Sequence, residues 1–265
     1  MTRPTFRCRA NDDCGGRQLP GSTAGPLRNG ELPWDLFDTE AYLADNYAEL
    51  HDLDRQIIQT LSRYYRTLPV AGLARTLDVG TGPNLYPLML VSAASRRCEV
   101  VELSTSNVDY LTRCLRDGVE PAWEPFWRLC REGNDALPAD LHQALARVLV
   151  SQGSAFDLPA RRYDLVSMFF VAESVTGDRA EFETLCRRFA GAAVPGGHLV
   201  AAFMAGMPAY RLAGEVFPAL AVDEAALRAA LVDVTDELIV SRLPPDPTLP
   251  YTHDGVLLLT ARARA

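Results

Sequence analysis

An acidic residue and two glycines lie close together in the segment 76–87, whose sequence is TLDVGTGPNLYP. Asp78, Gly80 and Gly82 would stand at the end of a short apolar strand, where glycine lets the backbone turn sharply and approach a ligand. A tight turn between a strand and a helix is the structural alternative. The dinucleotide fingerprint GxGxxG lacks its third glycine here, and a phosphate-binding GKS/T motif is absent. An acid followed by GxG instead suits a sulfonium-bearing amino acid, whose ammonium needs acceptors and whose carboxylate needs N–H donors.

Two further polar segments favour a nucleoside ligand. Glu102 ends the next strand pattern, about twenty residues after the glycine loop, where a carboxylate can accept both hydroxyls of a ribose. A solvated acid at a strand end is the structural alternative. Gly153 and Ser154 belong to a short polar turn within 151–159, where folds of this kind often hold an adenine edge. Together these positions predict a nucleoside site at one edge of a sheet.

The composition argues against several classes of function. The chain has 265 residues, 48% of them hydrophobic, and a formal net charge of -8, which suits one large domain with a real core. It contains no lysine for Schiff-base chemistry and no basic block for nucleic acid. No apolar run is long enough to span a membrane, and the cysteines and histidines have no metal-site spacing. We therefore expect a monomeric, cytoplasmic protein that binds no metal, nucleic acid or membrane.

Strand and helix patterns alternate after residue 69. Strands are predicted at 74–79, 98–103, 163–170, 198–204, 235–242 and 255–263. Helices are predicted at 48–65, 85–94, 106–116, 141–150, 179–192 and 223–231. Apolar strands separated by amphipathic helices predict a parallel α/β sheet, and the last two strands, with no helix between them, predict an antiparallel hairpin.

Two segments lie outside this alternation. Residues 1–32 lack periodicity and predict a disordered leader before a single domain at 33–265. Residues 118–138 form an excursion that carries Trp123 and Trp127, which could line a pocket or simply pack in the core.

The stretch FDTEAYLADNY, at 37–47, contains a phenylalanine, a Tyr-Leu pair and a second tyrosine five residues after the first. From spacing alone, Tyr42 and Tyr47 would be a core-facing pair. Together with the DVGTGPNLY segment, however, this stretch resembles the family of nicotinamide, phenylethanolamine and indolethylamine N-methyltransferases. These are class I S-adenosylmethionine-dependent methyltransferases, and the resemblance covers roughly residues 37 to 262.

The resemblance implies a fold and a cofactor. The fold is a Rossmann-like, seven-stranded, mostly parallel sheet with helices on both faces, an antiparallel final hairpin and an N-terminal helical lid at 33–66. The cofactor is S-adenosylmethionine. The positions that match the family's cofactor site are Tyr42, Tyr47, Asp78, Gly80, Thr81, Gly82, Tyr86, Glu102, Asn107, Gly153 and Ser154.

The resemblance also implies an acceptor site. Glu173 matches an acidic residue that faces the acceptor amine, and we expect it to be catalytic together with Tyr42. Tyr210 and Phe203 match residues of the acceptor pocket. Nicotinamide-specific members have an aspartate where this chain has Phe203, so an aromatic or hydrophobic amine is the better match.

These residues predict an N-methyltransferase of a small-molecule amine. Three alternatives stay open at this point. The acceptor could be a thioether or a heteroaromatic nitrogen, and the chain could bind the cofactor without turnover. The last alternative is an NAD oxidoreductase, but the GxGxxG fingerprint of such enzymes lacks its third glycine here.

Overall fold

The computed structural model describes residues 25–32, 34–249 and 251–265, so residues 1–24 of the predicted leader lie outside the described residues. Nine strands form within the described ranges. In chain order they are β1 (Thr76–Val79), β2 (Cys98–Glu102), β3 (Val148–Gln152), β4 (Tyr163–Phe169), β5 (Ala193–Met204), β6 (Ala209–Leu212), β7 (Glu215–Pro218), β8 (Thr235–Leu243) and β9 (Val256–Ala263).

Seven of these strands form one sheet in the order β3-β2-β1-β4-β5-β9-β8. The first five in this order pair in parallel. Strand β9 runs antiparallel to both β5 and β8. This architecture confirms the predicted Rossmann-like, mostly parallel sheet and its antiparallel final hairpin. Strands β6 and β7 form a separate two-stranded hairpin that the sequence patterns did not predict.

Helices cover both faces of the sheet. They are α1 (Thr39–Asn46), α2 (Asp52–Tyr65), α3 (Tyr86–Val91), α4 (Thr105–Asp117), α5 (Glu124–Gly133), α6 (Leu141–Leu145), α7 (Arg179–Ala192) and α8 (Glu224–Leu231). Helices α2 to α6 bury their apolar side chains in one core, whereas α7 and α8 bury theirs in a second core on the opposite face. None of these helices is both long and apolar enough to cross a membrane.

The alternation of side chains along the strands separates the two cores. On β5, Val200 and Met204 face the core that contains α2, whereas Leu199 and Phe203 face the core that contains α7. Successive residues of a strand point to opposite faces, so a shift of one position moves a side chain to the other side of the sheet. Phe203 and Met204 at the end of β5 therefore lie on opposite faces of the sheet.

One predicted helix is wrong in its second half. The segment predicted as helix 141–150 forms the short helix α6, which ends at Leu145, and then strand β3. Val148 pairs with Cys98, so β3 adds to the sheet beside β2. Pairing with a distant strand overrides the local helical pattern, because β-branched residues fit a sheet at least as well as a helix.

The excursion at 118–138 belongs to the core. Its helix α5 packs against α2. Trp123 and Trp127 are both buried, and the indole N–H of Trp123 donates to the Tyr110 hydroxyl at 2.8 Å. Neither tryptophan lines the cavity that lies at the carboxyl ends of the parallel strands. Of the two roles that the sequence left open, the structure therefore supports packing.

The end of the predicted leader is attached to the domain. The carbonyl of Leu27 accepts the N–H of Gly177 at 2.8 Å. The N–H of Asn29 donates to Glu181 Oε2 at 2.8 Å. Residues 27 and 29 thus contact the loop before α7 and the first turn of that helix, and the domain boundary at residue 32 stays a prediction.

Charged residues cluster at the amino-terminal edge of the sheet, opposite the glycine loop. Glu99 on β2 accepts hydrogen bonds from Arg75 at 2.5 Å and from the Tyr163 hydroxyl at 2.9 Å. Arg97 and Arg162 lie within 3.1 and 3.5 Å of the same carboxylate. Burial opposes ionisation of Glu99, but the hydrogen bonds and the arginine charges lower its pKa overall. The cluster thereby ties together the starts of β1, β2 and β4.

We expect Glu99→Gln to lower the free energy of unfolding by about 1 kcal/mol at pH 7, a value kept small by solvent screening. The folded-state pKa of Glu99 is depressed, so its contribution is present above the unfolded pKa of about 4.3 and is lost as the pH falls through the folded pKa. Urea unfolding near neutral pH and near pH 3 measures the difference. Glu224→Gln, which removes the exposed pair with Arg228, is the control and should cost about 0.3 kcal/mol. If Glu99→Gln lowers the free energy of unfolding equally at both pH values, the depressed pKa of Glu99 is contradicted.

Candidate active site

A cavity lies at the carboxyl ends of the parallel strands. Strand β1 has β2 on one side and β4 on the other, and ligands of such sheets bind in the crevice at this switch point. Of the predicted site residues, the cavity is lined by Tyr42, Tyr47, Gly80, Thr81, Gly82, Glu102, Asn107, Gly153, Ser154 and Tyr210. The remaining four, Asp78, Tyr86, Glu173 and Phe203, lie outside its lining.

The glycine loop after β1 needs both of its glycines. Gly80 and Gly82 have φ angles of 62° and 56°, in the left-handed region that side chains disfavour. A Cβ atom on Gly80 would lie 2.8 Å from Cγ1 of Val171, whereas one on Gly82 would meet only Asn107 at 3.9 Å. Gly80 therefore permits close packing between loops, and Gly82 leaves the backbone open toward the cavity.

Glu102 at the end of β2 organises the floor of the cavity. Its Oε2 accepts the N–H of Gly82 at 2.9 Å. Its Oε1 accepts the N–H of Ser104 at 2.9 Å and the side-chain amide of Asn107 at 3.3 Å. Asn107 in turn accepts the hydroxyl of Thr39, on the helix α1, at 2.7 Å. One carboxylate thus connects the glycine loop, α4 and the N-terminal segment.

Asp78 supports the glycine loop from below. It is buried on β1 and accepts hydrogen bonds from the hydroxyls of Thr81 and Ser167. Burial raises its pKa to about 7, although these two hydrogen bonds oppose the shift. Direct contact of Asp78 with the cofactor stays a prediction. In this arrangement the residue positions Thr81, which does line the cavity.

Tyrosines form a wall between the lid and the sheet. The rings of Tyr42 and Tyr47 meet edge to face at 5.9 Å, and Tyr47 meets Tyr86 at 6.2 Å. Tyr86 is fully buried behind Tyr47, which explains why it does not line the cavity. Burial raises the pKa of Tyr42 to about 12, so its phenol is neutral at physiological pH. Neutral phenols can donate hydrogen bonds and place an aromatic face against a cation.

The turn after β3 shapes a flat slot beside Glu102. The hydroxyl of Ser154 accepts the N–H of Phe156 at 3.1 Å and so begins a short 3₁₀ turn, Ala155–Asp157. Leu103, Ala155 and Phe156 line the cavity here. These apolar side chains can pack against a planar ring, and contact of Gly153 and Ser154 with an adenine stays a prediction.

Glu173 lies beside the cavity without lining it. It is fully buried, and its Oε1 accepts the N–H of Met204 at 2.7 Å. Its Oε2 has no hydrogen-bond partner within the described part of the chain. Burial raises its pKa to about 8, against the effect of the hydrogen bond from Met204. At neutral pH this group is mostly a carboxylic acid, and its neighbour Ser174 reaches the cavity in its place.

Phe203 does not contact the cavity. Its ring packs on Phe182 of α7, with the centroids 6.2 Å apart, in the core on the other face of the sheet. Strand alternation directs Met204, the next residue of β5, to the cavity instead. The substitution at position 203 is therefore no guide to the acceptor in this structure.

Tyr210 belongs to an aromatic cluster that covers one end of the cavity. It stacks on Phe217 across the β6–β7 hairpin at 5.3 Å. Phe217 also contacts Trp34 and Phe37, which precede α1, at 5.8 and 5.9 Å. Tyr210, Trp34 and Phe37 all line the cavity. The hairpin and the N-terminal segment therefore close this end together.

The sequence predictions missed several residues that line the cavity. Asp54 on α2 is the most informative of them, and the others with polar side chains are Asn29, Asn46, Asn84, Ser174 and Tyr251. One signal could have identified Asp54. It lies at helical spacing from Leu50, Ile57 and Ile58, so the predicted amphipathic helix placed a carboxylate on its own apolar face.

The charge of the cavity is negative. Asp54 and Glu102 line it, whereas no arginine or histidine does so among the residues that the structure describes. No cluster of His, Cys, Asp and Glu suited to a metal ion occurs in the same ranges. The cavity is thus better suited to cationic or neutral ligands than to anionic ones.

Comparison with known proteins identifies relatives of the chain. The model of the NNMT/PNMT/TEMT family matches residues 30–264. The chain is also similar to indolethylamine N-methyltransferase from Mus musculus, with 24% identity over 233 residues that cover 79% of this chain and 85% of that protein.

Solved structures share the fold at low sequence identity. N-methyltransferase NodS from Bradyrhizobium japonicum WM9, in complex with S-adenosyl-L-homocysteine, superposes with a TM-score of 0.54 at 13% identity, covering 87% of this chain and 94% of that one. A SAM-dependent methyltransferase from Methanosarcina mazei gives a TM-score of 0.53 at 14% identity, covering 75% and 95%.

We expect Gly80→Ala to weaken binding of S-adenosylhomocysteine by about tenfold or more, because the left-handed φ and the clash with Val171 must displace the loop. Isothermal titration calorimetry measures the dissociation constant. Gly191→Ala is the control, since its Cβ on α7 would meet no atom within 4 Å, its φ lies outside the left-handed region, and the residue does not line the cavity. Equal affinities for the two variants would contradict the role given to Gly80.

Proposed function

The chain belongs to the NNMT/PNMT/TEMT family, and from this premise we propose that it transfers a methyl group to the nitrogen of a small aromatic or hydrophobic amine. It is an S-adenosylmethionine-dependent methyltransferase. The proposal therefore concerns the acceptor and the residues that serve it. The proposal rests on the lining of the cavity. Its walls are aromatic, Asp54 and Glu102 are its acidic side chains, and no basic side chain of the described residues lines it.

The described residues fit the cofactor. The carboxylate of Glu102 faces a cavity position suited to ribose hydroxyls, and the slot of Leu103, Ala155 and Phe156 suits an adenine ring. The open backbone at Gly82 leaves space beside Thr81 for the amino-acid end of the cofactor. When bound, the cofactor supplies a methyl carbon that is activated by a positively charged sulfur.

The acceptor end lies beyond β4 and β5. Its walls come from Tyr210, Trp34 and Phe37 on one side and from Met204 and Met207 on the other. Aromatic faces and thioethers suit an apolar ring, and aromatic faces also stabilise a nearby ammonium. An anionic acceptor would find no basic partner among the described lining residues, so this arrangement favours an amine.

The chain's contribution to methyl transfer is orientation and exclusion of water. The acceptor nitrogen attacks the methyl carbon with its lone pair while the carbon–sulfur bond breaks, and the electron pair of that bond passes to sulfur. Alignment of the reacting atoms can contribute about 7–11 kcal/mol to such a step. Tyr42 and Tyr47 lie between the cofactor end and the acceptor end, where they can fix this alignment.

Glu173 has a positioning role in this proposal. Its hydrogen bond to Met204 holds the end of β5, and Met204 lines the acceptor end. Direct contact with the amine, as predicted from the resemblance, would require Glu173 to leave its buried position. Support for an indirect role comes from this burial and from the protonated state that it favours.

The proposed function is tested by S-adenosylhomocysteine release and product mass across a panel of aryl-alkyl amines, aliphatic amines, pyridines and thioethers. We expect N-methylated aryl-alkyl amines as products, because the cavity has aromatic walls, two acidic side chains and no basic side chain among the described residues. Methylation of thioethers or pyridines in preference to amines would overturn the choice of acceptor. Cofactor binding without any turnover on this panel would count against the proposed function as a whole.

We expect Glu173→Gln to retain at least about one-third of kcat/KM at pH 7, because the amide keeps an acceptor for Met204 and resembles the protonated acid. Glu173→Ala, which removes that acceptor, should lose about tenfold or more. The parent should also lose activity above a pH of about 8, where Glu173 ionises, and the Gln variant should not. If Glu173→Gln is as inactive as Glu173→Ala, and the parent gains activity as the pH increases past about 8, Glu173 acts directly in its charged form and the positioning role is wrong.

A further inference from the structure

An unpaired carboxylate lies at the acceptor end of the cavity. Asp54 is in the first turn of α2, on the face that also buries Ile57 and Ile58. The side chain is only 8% exposed, and Asp54 belongs to the lining of the cavity. Its remaining access is therefore to the cavity.

The contacts of α2 place Asp54 between the phenol of Tyr86 on α3 and the loop that joins β8 and β9. The N–H of Leu53 donates to Asp246, in the loop between β8 and β9, at 3.3 Å. Tyr251 of the same loop lines the cavity, and its hydroxyl donates to Asn46 at 3.2 Å. Strand β9 lies beyond β4 and β5, whereas Glu102 ends β2 on the other side of β1. Asp54 thus belongs to the half of the cavity assigned to the acceptor.

Nothing on the described chain neutralises Asp54. The groups that influence its ionisation are the burial itself, the phenol of Tyr86 and the carboxylate of Asp246, and no cation is among them. Burial is the largest influence and raises its pKa to about 7, Tyr86 opposes this, and Asp246 adds to it. The phenols of Tyr42 and Tyr251 also face this region.

Such a carboxylate costs stability unless a ligand pairs with it. An ionised acid buried without a cation is strongly unfavourable, and Asn of the same shape would avoid the cost. Groups retained at a cost to stability are characteristic of binding and catalytic sites. A cationic ligand at the acceptor end would remove the cost.

We propose that Asp54 is the counter-ion and the proton acceptor of the acceptor's ammonium group, an inference that rests on the proposed N-methyltransferase function. The ammonium binds against the carboxylate and transfers one N–H proton to it, which leaves a neutral amine and a carboxylic acid. The amine's lone pair then forms the bond to the methyl carbon as the carbon–sulfur bond breaks. After product release, Asp54 returns its proton to solvent.

This role makes Asp54 a catalytic residue, because it touches the substrate. It also resolves a difficulty of the acceptor site, since an amine must attack as the free base although it reaches the protein mostly as a cation. Glu173, buried and protonated outside the cavity lining, cannot take the proton where it stands. Asp54 is the acid that lines the acceptor half.

The test compares Asp54→Asn with Asp52→Asn. Asp52 lies two residues away on the same helix with its side chain 86% exposed, so it is a matched control. For Asp54→Asn we expect an unchanged affinity for S-adenosylhomocysteine and a kcat/KM for the amine reduced by about 100-fold at pH 7. The deficit should shrink at a pH of about 9.5, where more of the amine is free base. Asp52→Asn should match the parent in each measurement.

Thermal unfolding of the ligand-free variants gives a readout that needs no activity. Above neutral pH, the Tm of Asp54→Asn should exceed that of the parent by a few degrees. The pKa of Asp54 is higher in the folded state than in the unfolded state, so the parent loses stability as the pH increases past the unfolded-state pKa, and the Asn variant does not. With S-adenosylhomocysteine present, an aryl-alkyl amine should raise the Tm of the parent and not that of Asp54→Asn.

Three outcomes would overturn the inference. Loss of cofactor affinity in Asp54→Asn with an unchanged KM for the amine would assign Asp54 to the cofactor's own ammonium. Parent-like amine kinetics in a variant that binds the cofactor would remove Asp54 from the reaction. A ligand-free stability no higher than the parent's would show that the carboxylate is not unpaired. If the parent binds amines through Asp54 but methylates none, the binding role stands and the proposed function fails.

Discussion

The hydrogen bonds of the Glu102 carboxylate are the interaction on which the site depends. Two backbone N–H groups and the Asn107 amide converge on it, from the glycine loop, from the start of α4 and from α4 itself. Charge-assisted hydrogen bonds of this kind are stronger than neutral ones, and loss of their acceptor would leave buried donors unsatisfied. Through the bond from Thr39 to Asn107, the same network also holds the N-terminal segment over the sheet.

The N-terminal segment is held at its other end by aromatic packing. Trp34, Phe37, Tyr210 and Phe217 form a small cluster that is separate from the two cores of the sheet. A cluster of this size contributes less free energy than either core, so local opening costs less here than in the rest of the sheet.

Two buried carboxyls differ in their access to the cavity. Asp54 lines the cavity and lacks a cationic partner, whereas Glu173 sits behind the cavity wall and holds Met204. Both pKa values are raised mainly by burial, which makes both groups sensitive to pH in the neutral range. Their placement differs, because Asp54 is open to the cavity and Glu173 is not.

The amino-acid sequence by itself determined the features that depend on local pattern. The helix predicted at 179–192 has those bounds in α7, the central strands follow their apolar runs, and the acid and glycines after β1 form the expected turn. Local patterns suffice there because periodicity and backbone conformation are properties of short segments. Gly80, Gly82 and Glu102 line the cavity as expected, since they follow or end β1 and β2, whose apolar runs were recognised.

Only the tertiary structure decided which side chains reach the cavity. Strand β3 exists because β2 pairs with it, and Met204 rather than Phe203 reaches the cavity because strand faces alternate. The start of α2 meets the loop between β8 and β9 through the hydrogen bond from Leu53 to Asp246, which are 193 positions apart in the chain. Such convergence is a property of the packed fold, and no local pattern in the chain contains it.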